Sequence, residues 1–275
     1  MVVRLMFIVV VIAFALQASP QEPPPTAAEI MKWVAENQDR EQKARTQFVY
    51  DEMVHRVMRR KDGKLLREEY RTFAVVPSAK GAQKKLQSVK GQYWRKGKYV
   101  AFESQSIPPG GLFNATFDDS DSAESHTKDG IDKDLFPLTS DEQKKYTFEL
   151  TGERAVQGRF VYQIQFHPTD RNEYGWAGEA LIDKEEFQPV SIYTRLSRRL
   201  PVAVRTVLGT DVPGLGFSVQ YTRVEKDLWF PATYGTEFGV HALFLLNRTF
   251  TESVENKNFR RTTVESRIEY GDHGQ

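Results

Sequence analysis

The segments RFVYQIQFHP (159–168), WAGEALID (176–183) and FQPVSIYTRL (187–196) decide the fold of this chain. In the first, Phe160, Tyr162, Ile164 and Phe166 fall on alternate positions, the period of a strand that buries one face. The stretch TDRNEYG (169–175) separates it from the second, and Asp183 to Glu186 separate the second from the third. Both joints are rich in the residues that favour turns, so the three segments read as successive antiparallel neighbours.

The same pattern extends in both directions. Upstream lie QFVYDEMVHRVMRR (47–60) and KLLREEYRTFAVVP (64–77), joined through Lys61, Asp62 and Gly63, where the Asp-Gly pair marks a hairpin. LQSVKGQYWR (86–95) and KYVAFES (98–104) follow across Gly97, and YTFELTGER (146–154) leads to Gly158. Downstream come GFSVQYTRVE (216–225), LWFPATYGTEFGV (228–240), LFLLNRTFTESV (243–254) and RRTTVESRIEYG (260–271), with turns placed at Glu225 to Asp227 and Glu255 to Asn258. Ten or more strands in succession with few helices describe a meander, not alternating βαβ units.

Helical spacing occurs in three places. Ile30, Trp33 and Val34 follow a Thr26/Glu29 capping box, which predicts one amphipathic helix over Ala27 to Arg45. The segment LTSDEQKKY (138–146) predicts a short helix capped at Thr139 or Ser140, after a Gly-, Ser- and Asp-rich loop from Pro108 to Asp134. Leu200, Val204, Val207 and Leu208 share a face in a further insertion, Ser197 to Gly214.

The N-terminus has the layout of an export signal. One charge at Arg4 precedes an apolar run from Leu5 to Leu16, too short to span a bilayer as a helix of about 20 residues. The expected organisation is a signal peptide over 1–18, a Pro-rich spacer over 19–25 and one domain over 26–271. The chain has 275 residues and no cysteine, so disulfides, thiolate metal sites and lipid attachment at cysteine are excluded. A balance of 38 basic against 37 acidic residues gives no global attraction to nucleic acid.

Chemistry has few candidates. The five histidines, His55, His126, His167, His241 and His273, show no metal-ligand spacing, and no nucleophile elbow, phosphate loop or zinc motif is present. Asp118, Asp119, Asp121 and Glu124 form an acidic cluster without the calcium-loop pattern. No cofactor and no metal are expected, and His167 and Asp183 are the residues whose substitution would reveal a hydrolase. Between Lys80 and Lys98 the chain carries Lys84, Lys85, Lys90, Arg95 and Lys96 around Tyr93 and Trp94 with no acid. Such a segment either docks on anionic headgroups or an acidic partner, or guards a sheet edge against aggregation.

The apolar positions carry the strongest pattern. Phe160, Tyr162, Ile164 and Phe166 share one side, as do Phe217, Val219 and Tyr221, then Phe230, Tyr234 and Phe238, then Phe244, Leu246 and Phe250. A sheet with one aromatic-rich side must cover it, with a packed core or with a guest.

The order of strand, turn, Trp-x-Gly, Ile-Asp, acidic turn and Pro-Val strand, followed by Trp229, Phe230 and Pro231, resembles the outer-membrane lipoprotein-sorting, or LolA-like, family, whose relatives include LolB and RseB. The motif part runs from Gly158 to Phe238, and Trp176, Gly178, Ile182, Asp183, Phe187, Pro189 and Val190 would form its central hairpin. The resemblance implies a mainly β, α+β fold: one curved antiparallel sheet, a half-open barrel whose concave face is covered by the N-terminal helix and short helices. It implies a periplasmic, non-enzymatic and monomeric carrier of a lipid or a lipidated protein, with a membrane surface or an envelope protein as partner, or alternatively an RseB-like periplasmic sensor or protein-interaction domain without stably bound lipid. The chain departs from compact carriers in its length and in its two insertions. The expected cavity lining is Phe160, Tyr162, Ile164, Phe166, Phe217, Tyr221, Phe230 and Phe238.

Overall fold

The computed structural model describes residues 23–77, 81–117, 138–170, 172, 175–198, 216–242 and 246–262, with backbone alone at 115, 117, 237–242 and 246. The expected signal peptide, the acidic cluster at 118–124 and the helix expected around 200–208 lie outside these residues. The N-terminal strands are β1 (Phe48–Arg60), β2 (Leu65–Val76), β3 (Gln83–Arg95) and β4 (Lys98–Ser104). The second series is β5 (Tyr146–Val156), β6 (Arg159–Pro168), β7 (Trp176–Asp183), β8 (Pro189–Leu196), β9 (Phe217–Glu225), β10 (Leu228–Ala242) and β11 (Leu246–Arg261). All eleven belong to one sheet in the order β4-β3-β2-β1-β11-β10-β9-β8-β7-β6-β5, antiparallel throughout. The sheet does not close, and the architecture is the curved half-barrel expected from the sequence. Two meanders are joined where β1 meets β11, in a register running from Phe48 opposite Arg261 to Arg60 opposite Arg248.

One helix covers the apolar half of one face. α1 (Ala27–Arg45) begins at Thr26 with the capping box complete: the Glu29 amide donates to the Thr26 hydroxyl, and the Thr26 amide donates to the Glu29 carboxylate at 2.8 Å. Ile30, Met31 and Val34 are buried in the main core with Tyr162, Ile164, Phe166, Ile182, Ile192 and Val219. Each such side chain contributes about 1.5–3 kcal/mol on leaving water. Polar residues of α1 fix its position: Asn37 donates to the Glu186 and Phe187 carbonyls at 2.9 and 3.1 Å, and Gln38 donates to the Gln188 side chain at 3.1 Å. Phe187 holds a φ of +49°, a region that non-glycine residues seldom occupy. Asn37 on its carbonyl and the rings of Trp33 and Tyr162 on either side of its own ring, at 4.5 and 6.4 Å, fix it there.

Two sequence expectations need correction. The predicted turn at Glu255 to Asn258 does not form, because β11 runs through it as one strand with a bulge opposite Val49 and Asp51. Asn258 takes the positive φ of the irregularity, +56°, and its amide donates to Asp51 at 2.8 Å, so the polar turn residues serve a bulge. The loop expected over Pro108 to Asp134 also contains a short helix, α2 (Leu112–Phe117), anchored by Phe113, which is fully buried against Phe250 and Met58. α3 (Ser140–Gln143) is capped by Thr139 as expected.

Gly178 of the Trp-x-Gly motif has a cross-strand reason. A Cβ there would stand 1.9 Å from the Tyr193 carbonyl oxygen, a backbone atom of β8 that cannot turn aside. Gly178→Ala is expected to lower stability by more than about 2 kcal/mol, read by urea unfolding. A change under half that value would show that β7 and β8 part without cost.

Glu41 supplies a pH dependence. Its carboxylate is buried, and burial pushes its pKa from 4.5 up to about 7 although Arg45 and Arg40 pull the other way. The folded state therefore holds this proton where the unfolded chain has lost it. The associated stability is complete below pH 4.5 and drains away as pH rises through about 7, a loss of the order of 3 kcal/mol. Glu41→Gln is expected to flatten that slope in denaturation curves at pH 5 and pH 8; an unchanged slope would assign it to other groups.

Candidate functional site

The covered face has two halves of opposite character. Across β5 to β10 it is apolar, and six of the eight expected lining residues are there and buried: Tyr162, Ile164, Phe166, Phe217, Tyr221 and Phe230. Their neighbours are the chain's own rings. Tyr146 and Phe148 lie 5.9 and 6.5 Å from Phe166, Trp176 lies 4.9 Å from Phe217, and Phe48 and Phe259 lie 5.5 and 4.5 Å from Phe230. Burial also raises the Tyr221 phenol above its ordinary range. Phe160, at the start of β6, is 71 % exposed and stands outside the cluster. Phe238 is placed in β10 opposite Phe250, with its side chain outside the described residues.

Across β1, β2 and β11 the same face is charged. Arg67, Glu69 and Arg71 occupy successive inward positions of β2, and all three are buried. Glu69 accepts from Arg67 at 2.7 and 3.1 Å and from Arg71, while Arg56 donates to Glu252 at 2.6 Å across the β1–β11 seam. Arg67 also donates to the Pro109 carbonyl at 3.1 Å, and Arg71 to the Asn114 side chain at 3.3 Å, which ties α2 and the segment before it to the sheet. Burial, with the Arg56 charge adding to it, lowers the Arg71 pKa below the usual guanidinium value. Next to these, Glu52 receives Lys84 at 2.8 and 2.9 Å and the Tyr234 hydroxyl at 3.2 Å. Sequence reasoning overlooks this half; its signal is the run of charges at every second position, Arg67-Glu69-Arg71, which shares one side of a strand.

Between α2 and the sheet a cavity of about 320 Å³ opens at this charged end. Met58, Leu66, Tyr93, Trp94, Leu112 and Phe113 give it apolar walls, and Arg67 and Arg248 bring two guanidinium groups to it. Arg67 lies against the rings of Phe113 and Phe102, 4.8 and 5.3 Å from their centres, which holds its planar group in place. Phe113 and Met58 pack on Phe250, so the cavity wall continues to the strand position opposite Phe238. The volume lies at the small end of the range for ligand sites, about 300–1,000 Å³. Its chemistry suits a slender apolar chain that ends in an anionic group.

A second hollow, about 430 Å³, lies across the strands β2, β1, β11, β10 and β9 and is lined by Met53, His55, Tyr70, Gln220, Thr233 and Ser253 among others. At its edge His55 stacks on Tyr70 with ring centres 4.1 Å apart and lies 2.9 Å from Glu68. Burial pushes the Glu68 carboxyl up, but the hydrogen bonds from Gln92, His55 and Tyr70 outweigh it and hold the group below the usual carboxylate range.

Of the two residues singled out for hydrolysis, Asp183 has a structural role. Asp183 accepts the amides of Glu185 and Glu186 at 2.9 and 2.8 Å and pairs with Arg159 at 3.0 Å, so it shapes the β7–β8 turn. His167 has Nδ1 3.0 Å from the Pro168 carbonyl. Among the described residues no group of three or more acidic or histidine side chains could hold a metal ion.

No protein-family model matches the chain, and no curated protein matches it. Solved structures that it resembles include a DUF1329 family protein from Desulfovibrio piger, at 14% identity over 91% of this chain and 98% of that one, with a TM-score of 0.42. A putative outer membrane lipoprotein-sorting protein domain from Vibrio parahaemolyticus aligns over 85% and 94% of the two chains at 13% identity and a TM-score of 0.37. A LolA superfamily protein from Nitrosomonas europaea aligns over 88% and 96% at 10% identity and a TM-score of 0.35.

Proposed function

We propose that this chain is an exported, periplasmic binding protein that accommodates an acyl chain of a lipid or a lipidated protein and performs no chemistry on it. The observation that supports this reading is the cavity between α2 and the sheet, whose walls are largely apolar and which Arg67, held against the Phe113 ring, and Arg248 also line. Burial of a methylene group there stabilises by about 0.8 kcal/mol, so affinity follows the length of chain that fits. The eight expected lining residues are proposed as the continuation of this site; those beneath α1 are reached only if the guest displaces the helix or the insertions. The signal peptide over 1–18 and the monomeric state belong to the same proposal.

A second reading is favoured by one observation. Tyr162, Ile164, Phe166 and Phe230 are at most 5 % exposed, so the apolar half is satisfied by its own side chains. A sensor or protein-interaction domain without stably bound lipid fits that state.

Organic extraction of the purified protein, followed by mass spectrometry, is expected to yield a fatty-acyl species. In a fluorescence titration with a long-chain fatty acid, Arg248→Ala is expected to weaken binding by at least about tenfold while leaving the matching fatty alcohol unaffected, since only the carboxylate gains a charge-assisted bond. Absence of extracted lipid together with absence of fatty-acid binding would overturn the carrier reading. A membrane protein recovered by crosslinking under those conditions would support the sensor instead.

A further inference from the structure

The basic hairpin noted in the sequence gains a neighbour in the fold. The β1–β2 turn, RRKDGK (59–64), and the β3–β4 turn, RKGK (95–98), lie side by side at one end of the sheet. The Lys64 ammonium sits 3.5 Å above the Trp94 ring, and the Tyr99 hydroxyl donates to the Leu65 carbonyl at 3.3 Å, which binds the two tips together. Together the tips hold seven basic residues and one acid, Asp62, which is paired with Arg60. The chain as a whole carries a formal charge of only +1, so the rest of it is net negative and the molecule is electrically polarised toward this end. Arg59, Lys61, Arg95, Lys96 and Lys98 are exposed, and among the described residues none has an acidic partner.

Edge protection does not account for this arrangement. β4 is an edge strand, but β1 and β2 are interior, and a charged turn between interior strands has no open hydrogen-bonding edge to guard. The same end also exposes large apolar groups: Tyr99 is 43 % and Leu112 is 41 % exposed, and Trp94 lies between the tips. Cationic side chains around exposed aromatic and aliphatic ones match a bilayer interface, where headgroups take the charge and the boundary region takes the rings.

We infer that this end of the sheet docks on an anionic membrane surface, with the two hairpin tips on the headgroups and Trp94, Tyr99 and Leu112 at the boundary. The mouth of the cavity then faces the bilayer, because Trp94 and Leu112 line both. The docking does not depend on the cavity holding a lipid and is tested apart from it.

The test is sedimentation of the full chain with vesicles of phosphatidylcholine alone and of phosphatidylcholine with phosphatidylglycerol. Binding is expected only to the second and is expected to vanish near about 1 M salt, where the screening length falls to about 3 Å. Each basic residue near such a surface is worth about fivefold in binding, so the triple variant Lys61→Ala, Lys96→Ala, Lys98→Ala is expected to lose roughly a hundredfold. Lys144→Ala with Lys226→Ala, away from the two hairpin tips, is expected to change binding by less than about twofold. All three alanines replace exposed side chains at or beside the turns, and circular dichroism together with an unchanged urea unfolding midpoint verifies the fold of the variant. Equal binding to both vesicle types, or a triple variant within about twofold of the unaltered chain, would overturn the inference, as would capture by an acidic protein with no vesicle binding.

Discussion

Everything else in this molecule follows from the need to cover one apolar side of an open sheet. A closed barrel would solve that problem by curling its apolar side inward on all sides; here β4 and β5 remain apart, so the cover must be supplied by segments outside the sheet. α1 supplies it for the half between β5 and β10, where Ile30, Met31 and Val34 meet the rings and branched side chains of six strands. Its polar flank is as important as its apolar one, since Asn37, Gln38 and Glu41 hold the β7–β8 turn and fix where along the sheet the helix lies. The cost of that anchoring is a carboxylate buried beside Arg45.

The other half of the same face is built on a different principle. Arginines and glutamates replace apolar residues, and each buried charge has a counter-charge within hydrogen-bonding distance, as desolvation demands. Such ion pairs add little net stability compared with apolar packing, but a misplaced register would strand them without partners. The pair Arg56 to Glu252 lies on the seam between the two meanders, where strands far apart in sequence meet, and a shift of β11 by one residue would turn Glu252 to the opposite face from Arg56. Specificity of pairing, more than strength, is the physical gain there. The positive character it leaves on this side is also what gives the adjoining cavity its polarity.

The parts of the fold that are legible in the sequence are those whose causes are local. Thr26 with Glu29 marks the start of α1, and Asp62-Gly63 marks a hairpin in which Gly63 takes a φ of +80°. The strand bounds from β1 to β10 follow alternation and turn residues. Asn258 misleads because a polar residue with positive φ serves a bulge as well as a turn, and only the partner strand distinguishes the two. Phe160 shares the face of Tyr162 and Ile164, yet its height along β6 carries it past the packed cluster, a property that periodicity does not encode. The inward charges of β2 are hidden for a related reason: alternation shows that Arg67, Glu69 and Arg71 lie together, but polarity suggests that their side faces water. Only the assembled sheet, with Phe73 and Val75 continuing the same row into the core, shows otherwise.

The position of β11 has a consequence for how such a chain is made and cut. In most meanders the final strand is an edge, and losing it trims the sheet. Here β11, the last strand among the described residues, lies in the interior, hydrogen-bonded on both sides, so the two meanders stay unjoined until residues near Arg261 are in place. A protease that removed 246–261 would not shorten the molecule but sever it.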